Sequence, residues 1–242
     1  MKKGELLYRG KAKSVYRTDV PQELVVEFRD DITAFDGGKK ANLAEKGMLN
    51  ARVSAFFFTL LEKAKIRTHY LGMIDPATMR VRTLTMIPLE VIVRNVAAGS
   101  LVKRYPFREG QPLDPPILVI DYKDDARHDP MINDEIILAL GLVTAAELQE
   151  IKQKALSVNR VLGDHLQGKG ITLVDFKLEF GKDGLGNVTV GDEISMDSMR
   201  LWDARSGQSM DKDVYRFDKG DVMEAYRRVA ERITGNAGGR SR

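Results

Sequence analysis

Charged and apolar residues alternate in one short stretch of the second half of the chain. Asp175, Lys177 and Glu179 are spaced two apart, and the positions between and beside them are apolar: Val174, Phe176, Leu178 and Phe180. Because successive side chains of a β-strand point to opposite faces, this spacing places two carboxylates and an ammonium on one face. Most charged strand faces are simply solvated. The residues that follow favour a functional role for this one.

A predicted hairpin brings further carboxylates toward the same face. Residues 182–187 contain two glycines and predict a turn, after which the chain returns as a strand that ends in an acidic pair. If the turn is centred near its first glycine, Asp192 lies opposite Lys177 and diagonal to Glu179, close enough for the two carboxylates to share a cation. A shift of one residue in this register would bring Glu193 to the face instead.

Two other segments carry residues suited to binding anions. In the segment 87–104, Arg94 ends an apolar strand, and Ser100 follows small residues that let a backbone approach a ligand. A guanidinium binds phosphate or carboxylate through parallel hydrogen bonds, but a core strand that ends in a surface arginine explains Arg94 equally well. Lys11 and Lys13 flank a tight glycine turn. Neither the P-loop nor the dinucleotide-binding glycine spacing is present, and most lysine-rich turns are solvated.

The remaining candidates depend on context. Arg200 follows the predicted hairpin and can direct a second guanidinium to the same site. His69 and His165 have no carboxylate at metal-ligand spacing, which favours structural roles. His128 lies in a charged loop, and a functional role and a solvated surface position explain it equally well. Trp202 is interpreted as a packing residue rather than a surface on which a base stacks.

Short strands and a few helices must position these residues. Strands are predicted over residues 6–9, 14–17, 24–28, 79–86, 89–95 and 117–121. Helices are predicted over 48–65, with a buried stripe of Phe56, Leu60, Leu61 and Ala64, over 144–168, with a capping box, and over 221–233. With a seam at Pro88, this order predicts an α+β fold that has a strand-rich N-terminal lobe, residues 1–86, and a larger mixed lobe, residues 87–242.

Composition excludes several classes of function. The 242 residues are 43% hydrophobic, enough for one large domain or two small ones. There are no cysteines, which excludes disulfides, thiolate catalysis and cysteine-bound metals. A net charge of +3 gives weak support to nucleic-acid binding. No apolar stretch resembles a signal peptide or a membrane span, so a cytoplasmic location is expected, and residues 238–242 are expected to be disordered.

Taken together, these residues resemble the SAICAR synthetase (phosphoribosylaminoimidazole-succinocarboxamide synthase) family of purine biosynthesis. The matching motifs run in order along almost the whole chain, at residues 7–13, 33–37, 88–100, 128–130, 175–181, 191–193 and 198–203. Two long signatures in the right order, with flanking motifs in place, are far more specific than any single motif.

The resemblance implies a fold and a reaction. The fold is expected to be related to that of ATP-grasp enzymes, with an N-terminal lobe like the upper lobe of protein kinases. ATP, carboxyaminoimidazole ribonucleotide and L-aspartate are expected to give SAICAR, ADP and phosphate, with Mg²⁺ as cofactor. The partners are these small molecules rather than a nucleic acid or a membrane, and a homo-oligomer is left open.

The resemblance also implies roles for individual residues. These are ATP binding for Lys11, Lys13, Met86 and Lys123, magnesium binding for Glu179 and Asp192, binding of the ribonucleotide 5′-phosphate for Arg94, Ser100 and Arg200, and proximity to the reacting carboxylate for Asp175 and Lys177. Residues 38–40 and 105–113 depart from the family pattern, so the aspartate-binding residues stay unassigned.

This chemistry requires the residue types present here. A carboxylate is a poor electrophile, so ATP must convert it to an acyl phosphate before an amine attacks. Phosphoryl transfer is catalysed mainly by positioning and charge neutralisation, which needs lysines, arginines and metal-binding carboxylates rather than a protein nucleophile.

Two other functions also use residues of these types. A small-molecule kinase with the same nucleotide lobe would phosphorylate its substrate without needing an amine. A basic nucleotide- or RNA-binding module would lose affinity steeply with salt, and it leaves the carboxylates unexplained because they repel a phosphate backbone.

Overall fold

The chain folds into antiparallel sheets and helices of mixed order. The structure is a computed structural model that describes residues 2–35 and 37–235. Asp36 of the 33–37 motif and the tail at 238–242 lie outside the described residues. In chain order the elements are β1 (Lys3–Arg9), β2 (Lys13–Thr18), β3 (Glu23–Phe28), β4 (Asp31–Ala34), β5 (Lys39–Asn42), α1 (Lys46–Lys63), β6 (Tyr70–Asp75), β7 (Thr78–Arg82), β8 (Thr85–Val96), α2 (Ser100–Arg104), β9 (Pro112–Tyr122), α3 (Asp134–Ala139), α4 (Ala145–Gly168), β10 (Ile171–Lys182), β11 (Val188–Gly191), β12 (Met199–Asp203), α5 (Asp213–Arg216) and α6 (Val222–Thr234).

The strands form two large sheets and one small hairpin. The first sheet has the order β1-β2-β3-β7-β6, and the second has the order β11-β10-β8-β9, with β12 also paired to β10. Strands β4 and β5 pair only with each other. In the second sheet β8 lies along one edge of β10, and β12 and β11 pair with successive parts of its other edge. Strand β10 therefore runs through the centre of this sheet.

The predicted alternation of β10 is confirmed. Its apolar set, Val174, Phe176, Leu178 and Phe180, is buried in the core. On the opposite face Asp175 and Glu179 are buried as well, and Lys177 is half-buried. A strand with charged residues enclosed in this way needs partners for each charge.

Helix α4 forms as its sequence predicts. The Thr144 hydroxyl accepts a hydrogen bond from the Glu147 N–H, and the Glu147 carboxylate accepts one from the Thr144 N–H, which completes the capping box. The buried stripe is the predicted one: Leu148, Ile151, Ala155, Val158, Leu162 and Leu166. This stripe places α4 against β10 and β8.

Helix α1 buries a different stripe from the predicted one. Phe57, Phe58 and Leu61 are fully buried, whereas Phe56 is only half-buried and Ala64 is exposed. The three consecutive phenylalanines at 56–58 point in different directions around the helix, and contacts with β3, β6, β7 and α6 select those that face the core.

One predicted strand is divided. The segment 79–86 is the end of β7 followed, after a break at Thr83 and Leu84, by the start of β8. Pro88 lies inside β8 rather than at a break in secondary structure. The first sheet nevertheless ends at residue 82 and the second begins at residue 85. No helix among the described residues is long and apolar enough to cross a membrane.

Candidate active site

Three strands hold a row of opposite charges. Arg94 on β8 and Arg200 on β12 are the neighbours of Asp175 on either side of β10. Oδ2 of Asp175 accepts hydrogen bonds from Nη1 of Arg94 at 3.0 Å and from Nη1 of Arg200 at 2.7 Å. Nη2 of Arg94 donates to Oγ of Ser100 at 2.9 Å. The structure thus brings together the three predicted phosphate-binding residues, with Asp175 between the two arginines.

Burial and charge set the protonation of this row. Burial lowers the pKa of Arg94, and Asp175 opposes the shift. Burial also acts to lower the pKa of Arg200, but the charges of Asp175 and Asp213 outweigh it and raise that pKa. Asp213 accepts from Nε of Arg200 at 2.9 Å and from Nη1 of Arg216 at 2.5 Å. Each guanidinium is therefore oriented by a carboxylate before any ligand arrives.

A second row concentrates negative charge. Glu90 on β8 and Glu179 on β10 are directly opposite one another. Lys177 Nζ lies 2.5 Å from Oε1 of Glu90 and 3.3 Å from Oε1 of Glu179. Lys123 Nζ lies 2.5 Å from Oε1 of Glu179. Two carboxylates in this position repel each other, and the two ammonium groups offset the repulsion.

The ionisation of this row follows from burial. Burial acts to lower the pKa of Lys177, but Glu179 and Glu90 outweigh it and raise that pKa, so the ammonium keeps its proton. The pKa of Glu179 is raised, first by burial and then by the charge of Asp192. A cation bound between Glu179 and Asp192 would stabilise the ionised form of Glu179.

The predicted hairpin register is wrong by one residue. Glu179 pairs with Gly191, one position away from the predicted pairing, and beyond the end of this ladder the backbone N–H of Lys177 donates to the carbonyl of Ser198. The strand ends at Gly191, and Asp192 takes a left-handed conformation with φ 56°. This turn directs its carboxylate into the site despite the altered register.

Both acidic residues after the hairpin reach the N-terminal turn. Lys13 Nζ lies 2.6 Å from Oδ1 of Asp192 and 2.8 Å from Oε1 of Glu193. Burial acts to raise the pKa of Asp192, but Lys13, Lys177 and Lys123 outweigh it, and the net pKa is lowered. Lys13 therefore links the first sheet to the acidic face of the second.

Two adjoining cavities lie over these rows. The first, of about 360 Å³, has apolar walls from Val15, Leu24, Val26, Val81, Leu84 and Met86, and polar walls that include Lys11, Lys13, Lys123, Glu179 and Asp192. The second, of about 400 Å³, is lined by Arg94, Ser100, Asp175, Arg200 and Arg216. The residues that line both are Lys11, Thr33, Glu90, Asp129, Lys177, Asp197, Ser198 and Lys212. We call their meeting point the junction. Every predicted site residue lines one cavity or both.

The sequence patterns did not identify several residues that the structure places at the site. Glu90 lies four residues before Arg94 in an extended run, so the same alternation that identified Lys177 places it on the face of Arg94. Asp213, Arg216 and Lys212 lie in a charged segment without a recognisable pattern, and only the structure shows that Arg216 and Lys212 line a cavity and that Asp213 bonds to Arg200.

The acidic residues suit a metal ion whose other ligands are substrate phosphates and water. Among the described residues, no group of three or more histidine and acidic side chains is placed to hold a metal ion. Glu179 and Asp192 line the same cavity, and each affects the other's charge. Magnesium is usually bound by one or two carboxylates, substrate phosphates and water, so these two residues fit such an ion beside a nucleotide.

Comparisons with known proteins agree with one another. The SAICAR synthetase family model matches residues 6–233. The phosphoribosylaminoimidazole-succinocarboxamide synthase of Methanoculleus marisnigri is 66% identical over 233 residues, covering 96% of each chain. A solved SAICAR synthetase in complex with ADP has 52% identity and a TM-score of 0.93, covering 96% of this chain and 98% of its own. The synthase structure from Ehrlichia chaffeensis has 40% identity and a TM-score of 0.94, with coverage of 97% and 100%. The chain therefore belongs to the SAICAR synthetase family.

Proposed function

We propose that this chain joins L-aspartate to carboxyaminoimidazole ribonucleotide at the expense of ATP, giving SAICAR, ADP and phosphate. It is an ATP-dependent carbon–nitrogen ligase of purine biosynthesis, as its relatives' names at 66% identity indicate. The structural observation that supports the assignment most directly is the pair of adjoining cavities with Lys177 at their junction.

The first cavity suits ATP. Its apolar walls, including Met86, offer contacts to a base, and Lys11, Lys13 and Lys123 lie where phosphates need cations. A structural relative at 52% identity was solved in complex with ADP. Lys13 and Lys123 now neutralise Asp192 and Glu179, so a nucleotide would offer these lysines phosphates in place of the carboxylates.

The same two carboxylates would hold Mg²⁺. When bound, the ion supplies charge neutralisation for the ATP phosphates. Glu179 and Asp192 suit this role because they are buried acidic groups on the nucleotide cavity whose negative charges disfavour one another. The fold holds the two carboxylates at fixed positions, with Glu179 on β10 and Asp192 directly after β11.

The second cavity suits the ribonucleotide. Arg94, Ser100 and Arg200 would bind its 5′-phosphate, since two oriented guanidinium groups and a hydroxyl match the oxygens of a phosphate. Asp175 would act mainly by holding the two arginines side by side, because its Oδ2 is already bonded to both. The opposite end of the substrate, with its carboxylate, would then lie near Lys177.

The reaction follows from this arrangement. A carboxylate oxygen of the ribonucleotide attacks the γ-phosphorus of ATP, and ADP leaves. The aspartate amine then attacks the acyl carbon, loses its proton, and displaces phosphate, which carries away the carboxylate oxygen. Lys177 orients the carboxylate and offsets negative charge as the phosphoryl group passes from one cavity to the other.

The larger organisation is proposed on the same basis. Residues 1–86 form an ATP-binding lobe and residues 87–242 a ribonucleotide- and magnesium-binding lobe, in an ATP-grasp-like arrangement. The division is supported by the two sheets, one built from strands up to residue 82 and the other from residue 85 onward. We propose a cytoplasmic location, which a chain without cysteines fits. A homo-oligomer stays a prediction that sedimentation can test.

An isotope experiment tests the proposed reaction. Oxygen-18 in the ribonucleotide carboxylate should appear in released phosphate during aspartate-dependent turnover. Lys177→Met should suppress both the label transfer and ADP release, whereas Lys182→Met, on the same strand but bonded to Glu147 outside the cavities, should not. Aspartate-independent formation of a phosphorylated product, with no label in phosphate, would instead identify a small-molecule kinase.

A further inference from the structure

One lysine at the junction differs from its neighbours. Lys11, Lys177 and Lys212 each line both cavities. Lys11 is bonded to Asp125 at 3.0 Å, and Lys177 is bonded to Glu90 at 2.5 Å. Within residues 2–35 and 37–235, Lys212 makes no side-chain hydrogen bond and no ion pair.

The two carboxylates that act to raise the pKa of Lys212, Asp197 and Glu193, already have partners. Asp197 is 2.6 Å from the buried ammonium of Lys46 and accepts a hydrogen bond from Tyr226 at 2.7 Å. Glu193 is 2.8 Å from Lys13. These groups influence Lys212 only at longer range.

The other charges near Lys212 are cationic. Lys46 and Arg216 both act to lower its pKa, and Arg216 is itself bonded to Asp213. Burial is the largest cause of the lowered pKa of Lys212, and Asp197 only partly opposes it. A half-buried ammonium without a bonded anion costs free energy, and a bound carboxylate would reduce that cost.

The other substrate anions have cations elsewhere. Under the proposed function, the ATP phosphates face lysines of the first cavity, and the ribonucleotide phosphate faces Arg94 and Arg200. The ribonucleotide carboxylate faces Lys177. Aspartate brings two further carboxylates, and its amine must reach the acyl carbon at the junction, where Lys212 lies.

We infer that Lys212 binds a carboxylate of the amino-acid substrate and thereby holds its amine toward the acyl carbon. The inference rests on the proposed function and assigns its third substrate to the segment between β12 and α5. The side chain enters from this segment, while Lys177 enters from β10. Aspartate, a four-carbon dicarboxylate, would therefore lie between the ammonium groups of Lys212 and Lys177, which come from two separate elements.

Substitution of Lys212 tests the inference. In Lys212→Met the KM for aspartate should rise at least about tenfold, and inhibition by succinate should weaken to the same extent. The KM values for ATP and the ribonucleotide should stay within about twofold. Lys219→Met removes a charge from the connection between α5 and α6, outside both cavities, and should change none of these values.

Dependence on pH separates binding from a structural role. Succinate has no amine, so its inhibition reports groups of the enzyme. In the wild-type protein it should weaken as the pH rises and Lys212 loses its proton, whereas Lys212→Arg should keep its inhibition at high pH because a guanidinium stays charged. Lys212 has no side-chain cap bond in α5, so both variants should fold, and circular dichroism checks this.

The outcomes distinguish the inference from the proposed function. A wild-type protein without aspartate-dependent ADP release would overturn the proposed function. An active wild type, together with unchanged aspartate and succinate constants in Lys212→Met, would overturn the inference alone. A rise in the KM for the ribonucleotide instead of aspartate would also overturn it and move Lys212 to that substrate.

Discussion

Arg94 and Asp175 are direct neighbours across β8 and β10, and their side chains meet at 3.0 Å between Nη1 and Oδ2. Both residues are about 95% buried, with exposed fractions of 5% and 4%. The same oxygen of Asp175 also accepts from Arg200. The carboxylate of Asp175 therefore lies between the guanidinium groups of Arg94 and Arg200. Removal of its negative charge would leave the two arginines to repel each other.

Asp175→Asn should damage both stability and ribonucleotide binding. Loss of one member of a buried charged pair costs about 3–5 kcal/mol, and urea denaturation should show a loss of about that size. The KM for the ribonucleotide should rise far more than that for ATP, because the arginines lose their orientation. Asp134→Asn removes an exposed carboxylate from its pair with the half-buried Lys152 and should cost about 1 kcal/mol or less. Equal losses in the two variants would contradict the role given to Asp175.

Gly99→Ala should displace Arg200. Gly99 has φ 59° and ψ −124°, a conformation that strains any other residue, and a Cβ there would lie 2.5 Å from Nη2 of Arg200. Arg200 cannot move away without breaking its bonds to Asp175 and Asp213. We expect a stability loss of about 1–3 kcal/mol and a raised KM for the ribonucleotide.

The matched control is another glycine with space around it. A Cβ on Gly163, within α4, would have no atom within 4 Å. Gly163→Ala should therefore stabilise the protein by about 0.5–1 kcal/mol and leave the kinetic constants unchanged. A normal ribonucleotide KM in Gly99→Ala would show that Arg200 is not needed where the structure places it.

Local patterns predicted β10 and α4 because their signals are local. Strand alternation places residues two apart on one face, and the capping box of Thr144 and Glu147 spans four residues. The hairpin register failed because the left-handed glycine of the turn is Gly186, not Gly184. The loop closes between Asp183 and Asn187, whose backbone groups bond at 3.1 Å, and this shifts each later partner by one position.

Local sequence patterns could not predict contacts between residues that are distant along the chain. The bond between Lys13 and Asp192 joins residues 179 positions apart, and no spacing rule specifies it. The unpaired state of Lys212 among the described residues depends on where three other elements place their charges. By contrast, the local sequence made Arg94, Ser100 and Arg200 candidates, and the family resemblance added their role, while Asp175, which bonds to both arginines, was predicted near the reacting carboxylate.

Glu179→Gln should weaken the response to magnesium. If Glu179 holds the ion beside the ATP phosphates, loss of its charge should cost several kcal/mol in the transition state, a drop of at least about 100-fold in turnover. The apparent magnesium activation constant, measured by ADP release, should rise. The strand should remain intact because the amide has nearly the same volume, which circular dichroism can check.

Glu90→Gln is the control for this prediction. Glu90 is the cross-strand neighbour of Glu179, but its carboxylate is bonded to Lys177. Its substitution should change turnover through Lys177 without changing the magnesium activation constant. If both variants shift that constant equally, the effect comes from the charge of the acidic row rather than from a ligand role of Glu179.

The contribution of Asp211 to the stability of the protein should fall as the pH rises between about 4 and about 7. This carboxyl is fully buried, and burial, followed by the charge of Asp213, raises its pKa to about 7. A carboxyl whose pKa is raised on folding binds more protons in the folded state. Its stabilising contribution is therefore complete below the unfolded pKa of 3.8 and is lost as the pH rises through about 7.

Urea denaturation of the wild type and Asp211→Asn across pH 4.5 to 8 checks this sign. The amide does not titrate, so the slope of the free energy of unfolding against pH should be more negative in the wild type than in the variant, by up to about 1.4 kcal/mol per pH unit. The curve of Asp203→Asn should instead stay parallel to that of the wild type over this pH range, because the contribution of Asp203 changes only below its unfolded pKa of 3.8. The bond from Arg232, followed by the backbone N–H groups of Ser206 and Arg205, lowers the pKa of Asp203, so its contribution is lost as the pH falls. Parallel curves for wild type and Asp211→Asn would show that Asp211 stays ionised in the folded protein, held by the N–H groups of Leu201 and Asp213.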